Sequence, residues 1–439
     1  MSRPAVLTFL LVVAAAACGG GSGGSAPSGP PPSPQPSPSP TATPSPAPQP
    51  TATPTPSPQP TSTPSPETGQ VAIEIERVDF AGECDGLVPD RAPAAVTLTT
   101  SAPTGAVCLG GTGDGTGHVA LGVREAGVVT WTVFRPDGSR AGSASGAGLD
   151  ALVRQAEGWH GVVSTPLYSP FQASELVRIG TDGAIGVRTP LTPPDGFLVT
   201  RASMASDPAG GSAVAASATA IGGNHPSTVE VFRFDVAAAS AHAGRRVMSD
   251  TSPIVSFLGV GVSRMGEEIV TYRTPGMLAW TWVGRDGTTL ATGGVAQVDV
   301  AATDPVELEP LLDGSVAARF DGAWSAVIPH LGVSASPAPQ WLAAARGTTL
   351  RFTRGNRGYA VLPRAGEQLP ACAQVVELRA PSGTLCGRIT VREGAGACTG
   401  GAIEQGWDGT LIHQSTRDGC TATGCTCSLH AWPRLLAGP

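Results

Sequence analysis

From Val71 onward the chain is written in short runs of Val, Ile, Leu, Thr and Ala, broken by Gly, Asp and Pro. No long stretch carries a helical period, so the pattern predicts an all-β body. Two kinds of turn give that body an order. The first is Gly-rich and precedes a run of small residues, as in Asp114-Gly-Thr-Gly before His118-Val-Ala-Leu-Gly and Asp313-Gly before Ser315-Val-Ala-Ala. Seven such turns occur, roughly 43–57 residues apart. The second follows a run of bulky residues, as in Trp131-Thr-Val-Phe-Arg-Pro-Asp137-Gly138 and Trp280-Thr-Trp-Val-Gly-Arg-Asp286-Gly287. Asp-Gly between strands is a hairpin signal, because both positions tolerate φ > 0.

Two hairpin turns per repeat mean four strands per repeat. Seven four-stranded repeats predict a β-propeller over residues 71–439. Its small-residue strands would lie toward the axis, and its bulky strands, with Trp131, Trp280, Trp282 and Trp324, would pack between blades. The Asp-Gly tags resemble the repeats of bacterial propeller proteins. The strand at Val71–Val78 is expected to complete the last blade. A six-bladed ring with a small N-terminal unit, or two β-sandwiches, are the alternatives.

The first seventy residues are different in kind. Residues 1–17 hold one positive charge, Arg3, and then an apolar run from Ala5 to Ala17, the pattern of a secretory signal. The stretch Ala15-Ala16-Ala17-Cys18 resembles the lipobox of bacterial lipoproteins, with alanine where that family usually has leucine. The resemblance implies lipidation at Cys18 and, with Gly19 after it, an outer-membrane address. Residues 18–70 then form a Gly/Ser leash and a Pro/Ser/Thr tract with a ten-residue repeat. Such a tract favours an extended polyproline conformation, and its ~40 residues reach on the order of 120 Å. The expected product is a cell-envelope protein held to a membrane through its lipid anchor.

Export places the cysteines in an oxidising compartment. Beyond Cys18 there are eight: Cys84, Cys108, Cys372, Cys386, Cys398, Cys420, Cys425 and Cys427. Proximity along the chain suggests Cys84 with Cys108, Cys372 with Cys386, and two bonds among the last four. The rival is a metal site of Cys420, Cys425, Cys427 and His430 with His413 nearby, but no C-x2-C pair supports it. No metal and no cofactor is expected.

Composition narrows the chemistry further. The chain has no lysine, so a Schiff-base or P-loop lysine is excluded. A net charge of −7 without a basic block gives no footprint for nucleic acid. The one G-x-S-x-G, Gly20-Gly21-Ser22-Gly23-Gly24, lies in the Gly/Ser leash and not between a strand and a helix, and no H-E-x-x-H or EF-hand loop is present. Asp114 reads as a structural turn residue. His118, His160 and His413 each follow a first turn, which would allow a ring of imidazoles in the channel or simply hydrogen-bonded strand residues. Trp159 and Trp407 read as turn aromatics. A binding surface is expected on the loops opposite the hairpin turns, with Tyr168, Phe171, Asn224, His225, Tyr272 and Arg273 as its candidates. These features favour a non-enzymatic binding or scaffold module for a protein or polysaccharide. The alternatives are a propeller glycoside hydrolase or lyase, and a purely structural envelope protein.

Overall fold

The computed structural model describes residues 71–437 apart from 80, 169–170, 194–195, 209–210, 221–228, 235, 237–241, 248–253, 297–305, 321–322, 346–347, 354–356, 364–372, 394–401, 415–418 and 422–423. The signal, Cys18 and the stalk therefore lie outside the described residues, as do Asn224, His225, Cys372 and Cys398.

The body is a seven-bladed β-propeller of antiparallel four-stranded blades, with almost no helix. Blades 1 to 6 span residues 107–147, 152–192, 197–247, 256–296, 307–337 and 348–393. Blade 7 takes its three inner strands from residues 403–432 and its outer strand from β2 (Val96–Ala102), whose residues pair from Val96↔Ala431 to Ala102↔Cys425. This N-terminal strand on the C-terminal blade closes the ring. The earlier strand, β1 (Val71–Arg77), does not complete the last blade as its position in the sequence suggests. It adds a fifth strand to the outer edge of blade 6, from Val71↔Glu393 to Arg77↔Gly387. The apolar run of β1 suits any outer edge, so sequence alone does not choose between the two blades.

Seven apolar clusters account for the ring, one at each junction between neighbouring blades. The alternation of small and bulky strands is the packing rule. In blade 1, Gly122 stands opposite Trp131 in register, and a Cβ on Gly122 would fall 2.8 Å from the indole ring. Gly293 stands in the same relation to Trp280. Trp131, Trp280, Trp282 and Trp324 are all buried, as the sequence implies. Gly122→Ala is therefore expected to lower stability by about 1–3 kcal/mol, because the indole is walled in and cannot retreat. Urea unfolding of the variant measures this, and an unchanged midpoint would refute the packing argument.

The second-turn motif departs from the two-residue hairpin. Gly138, Gly183, Gly287 and Gly383 have φ between +77° and +89°, whereas the aspartates before the first three of them keep negative φ. Each of those aspartates accepts a hydrogen bond from the backbone N–H two residues on, as Asp137 Oδ1 does from Ser139 at 2.9 Å. The turn is thus a longer loop closed by one left-handed glycine, and the carboxylate acts as its clasp.

The disulfides are long-range. Cys84 bonds to Cys386 and Cys108 to Cys427, across 302 and 319 residues. The expected Cys84–Cys108 and Cys372–Cys386 pairs are corrected by these bonds, and so is the expectation of two bonds among Cys398, Cys420, Cys425 and Cys427, since Cys427 is taken by Cys108. Ring closure carries the N-terminal segment onto blades 6 and 7, so nearness along the chain is the wrong guide. Cys427 is consumed in this way and is no thiolate ligand, and among the described residues no group of His, Cys, Asp and Glu is placed to hold a metal. Cys420 and Cys425 are backbone register partners in the last hairpin.

Candidate functional site

The innermost strand of each blade ends at a first turn, and all seven surround a central cavity of about 640 Å³. The cavity lies toward the face that carries the hairpin turns, since Gly115, Pro208, Gly406 and Trp407 line it. Four of its charged side chains come from four innermost strands: Arg154 from Leu152–Arg154, Glu309 from Glu307–Pro310, Arg351 from Thr348–Phe352 and Glu404 from Ile403–Gln405.

These four form a chain of charges across the channel. Arg351 donates through Nη1 to Glu309, and through Nε and Nη2 to the two oxygens of Glu404 at 3.0 and 3.2 Å. Arg154 stands 3.9 Å from Glu404 and donates to the Gln405 carbonyl, with its guanidinium over the Trp407 ring at 5.7 Å. A further carboxylate of the lining, Glu307, pairs with the buried Arg319. Asp408 is held by the backbone N–H and hydroxyl of Thr410, both at 2.9 Å.

The electrostatics follow from this geometry. Burial raises the Glu309 carboxyl above the usual range, despite Arg351 and Arg154. Burial acts the same way on Glu404, but Arg351 and then Arg154 outweigh it and hold that carboxyl below the usual range. Burial also disfavours the Arg351 cation, yet Glu309 and Glu404 together keep it above its ordinary value. Arg154 has weaker compensation. Burial, reinforced by Arg351, pushes it down to about 10.

None of the four was singled out from the sequence. Each lies a few residues before a first turn, in a run too short and too mixed to read as a strand. The signal available was a charged residue at that recurrent place in four of the seven repeats.

The residues that the sequence did single out are dispersed. Tyr272 is corrected from a loop candidate to a core residue: it is 1% exposed at the junction of blades 3 and 4, with its hydroxyl 2.9 Å from that of Thr281. Arg273, half-buried, follows it in the same strand, and neither lines the cavity. Tyr168 and Phe171 are backbone partners at the end of a blade 2 hairpin. Trp159 is not a turn aromatic but the fully buried first residue of a strand, packed at the junction of blades 1 and 2. Asp114 is a turn residue, as read: its carboxylate accepts from Thr116 and His118, and from the Gly158 N–H of the next blade.

His118, His160 and His413 form no channel ring, and none of the three lines the cavity. His118 bonds to the Thr116 hydroxyl at 2.8 Å and His160 to Ser212 of blade 3 at 2.7 Å. His413 is buried in blade 7, stacked on His430 at 6.4 Å and 3.8 Å from Glu393. Burial pushes His413 down to about 4, with Glu393 opposing and His430 assisting, and burial lowers His430 too. The unfolded chain then binds protons before the folded one. Stability is full above about pH 6.5 and falls, on the order of 3 kcal/mol, as pH drops toward 4. Urea unfolding at pH 7 and pH 4.5 checks this. His413→Leu is expected to flatten most of the slope, and a slope unchanged in that variant would discard the assignment.

No family model matches the chain, and no curated protein matches it. Among solved structures, it is similar to the Dos1 propeller at 11% identity and a TM-score of 0.38, covering 72% of this chain and 76% of that one. A eukaryotic initiation factor matches at 11% and 0.36, over 74% and 90%. Prolyl oligopeptidase B from Galerina marginata matches at 9% and 0.42, over 74% of this chain and 48% of that one. The propeller assignment rests on the strand order and the seven junction cores described above.

Proposed function

We propose that the chain is a bacterial cell-envelope lipoprotein whose propeller acts as a binding or scaffold module for a protein or polysaccharide partner, anchored at Cys18 and held out on its proline-rich stalk. The observation that carries the binding role is the state of the channel carboxylates. Glu309 and Glu404 share Arg351, and Glu307 rests on Arg319. A lining that neutralises its own charges is preorganised for recognition, whereas hydrolysis of a glycoside needs one carboxyl free as acid and another as base or nucleophile.

The test is a thermal-shift screen of the oxidised full-length chain with polysaccharide and peptidoglycan fragments, with product formation followed in parallel. A ligand at one hundred times its dissociation constant adds about 2.7 kcal/mol. Stabilisation without turnover supports the module. Turnover transfers the assignment to a propeller hydrolase or lyase. That second reading is favoured by one observation: Glu309 is raised and Glu404 lowered within one cavity, as an acid and its partner base would be. Loss of turnover in both Glu309→Gln and Glu404→Gln would establish it.

A further inference from the structure

The geometry points to a carboxylate-binding site at Arg154, an inference that rests on the reading of the channel as a ligand site. Arg351 spends its donors on Glu309, Glu404 and the Leu350 carbonyl. Arg154 does not. Its side chain is 16% exposed, yet among the described residues only Nη1 finds an acceptor, the Gln405 carbonyl, and Glu404 is 3.9 Å away. Nε and Nη2 form the flat two-donor edge that matches the two oxygens of a carboxylate.

The rest of the lining selects the ligand's charge and size. Its carboxylates are held by Arg351, Arg319 or the Thr410 donors, so a cation finds no open acid there. The same carboxylates disfavour a doubly charged phosphate more than a singly charged carboxylate. Gln405, 3% exposed on the same wall, donates to the Phe352 carbonyl at 2.6 Å and leaves its own Oε1 without a partner. That oxygen is sealed from solvent, so it belongs to the wall of the site and makes no contact with the ligand. A cavity of about 640 Å³ takes a small molecule or the end of a chain. Two sources share this chemistry: a uronic acid unit of a saccharide, and the C-terminus of a peptide.

Isothermal titration of the oxidised full-length chain separates them. The four probes are trigalacturonate, neutral galactotriose, N-acetylated tetra-alanine with a free C-terminus, and its neutral C-terminal amide. The site binds trigalacturonate or the free-acid peptide at least tenfold tighter than its neutral counterpart, and whichever acid binds names the source. Arg154→Gln weakens that binding at least tenfold, and Arg154→Lys, which keeps the charge without the fork, weakens it by less. Near-UV circular dichroism confirms that both variants fold. Equal binding of charged and neutral probes, or binding unchanged in Arg154→Gln, overturns the carboxylate site and leaves the binding module standing. No binding by any probe overturns the site as well. Only silence in the wider thermal-shift screen removes the module with it.

Discussion

Replacing Cys108 and Cys427 by alanine, with the other bond intact, is expected to lower the unfolding free energy by about 4 kcal/mol, and removing both bonds by about 10 kcal/mol. The difference comes from the topology of the ring. Either bond alone closes more than 300 residues. Once Cys84–Cys386 is formed, the second bond closes only the path through the first, about 65 residues, and restrains the unfolded chain less. The two bonds flank β2 in sequence, tying the chain before it to blade 6 and the chain after it to blade 7. A domain has about 5–15 kcal/mol of net stability, so the fully reduced chain is expected to lose β2 and open the ring. Urea unfolding of the oxidised protein, the two paired-alanine variants and the reduced protein measures this. If removing both bonds cost no more than removing one, the bonds would not be acting on ring closure.

This prediction bears on what the sequence could reveal. The repeat of two turns, with small and bulky strands between them, was legible because it is local: glycines and aspartates mark hairpins, and size alternation reflects packing of neighbouring strands. The tryptophans of the bulky strands and the turn role of Asp114 were legible for the same reason. What failed was information held by closure. The partners of Cys84 and Cys108 lie some 300 residues away, and no local pattern distinguishes β1 on blade 6 from β2 on blade 7. Trp159 was misjudged because its burial is supplied by the preceding blade, not by its own turn. The channel residues were missed because an innermost strand such as Leu152–Arg154 or Ile403–Gln405 is only three residues long. Their meaning comes from converging on one axis, which a linear reading does not show.

That convergence makes Arg351 the side chain whose loss should be felt most among the channel residues. Arg351→Met keeps length and apolar volume but leaves Glu309 and Glu404 facing a cavity with only Arg154 to compensate them. Breaking a buried pair from one side costs about 3–5 kcal/mol, and the lower end applies here because Glu404 is 28% exposed. The cost is also pH-dependent, with a definite sign. In the native protein Glu404 is depressed, so its contribution is present above the unfolded carboxyl range and is lost as pH falls through the folded value. In the variant the desolvated carboxyls, without Arg351, titrate above the unfolded range, so protonation relieves their penalty as pH falls. The two effects bring native and variant stabilities together in acid. Urea unfolding should show a gap of about 3 kcal/mol at pH 7 that closes by more than half at pH 4.5. The triple variant Glu309→Gln, Arg351→Met, Glu404→Gln should regain most of the loss at pH 7, because no unpaired carboxylate remains. A gap independent of pH, unrepaired in the triple variant, would mean that Arg351 supports the channel by packing alone, and the preorganised charge lining on which the binding role rests would lose its physical basis.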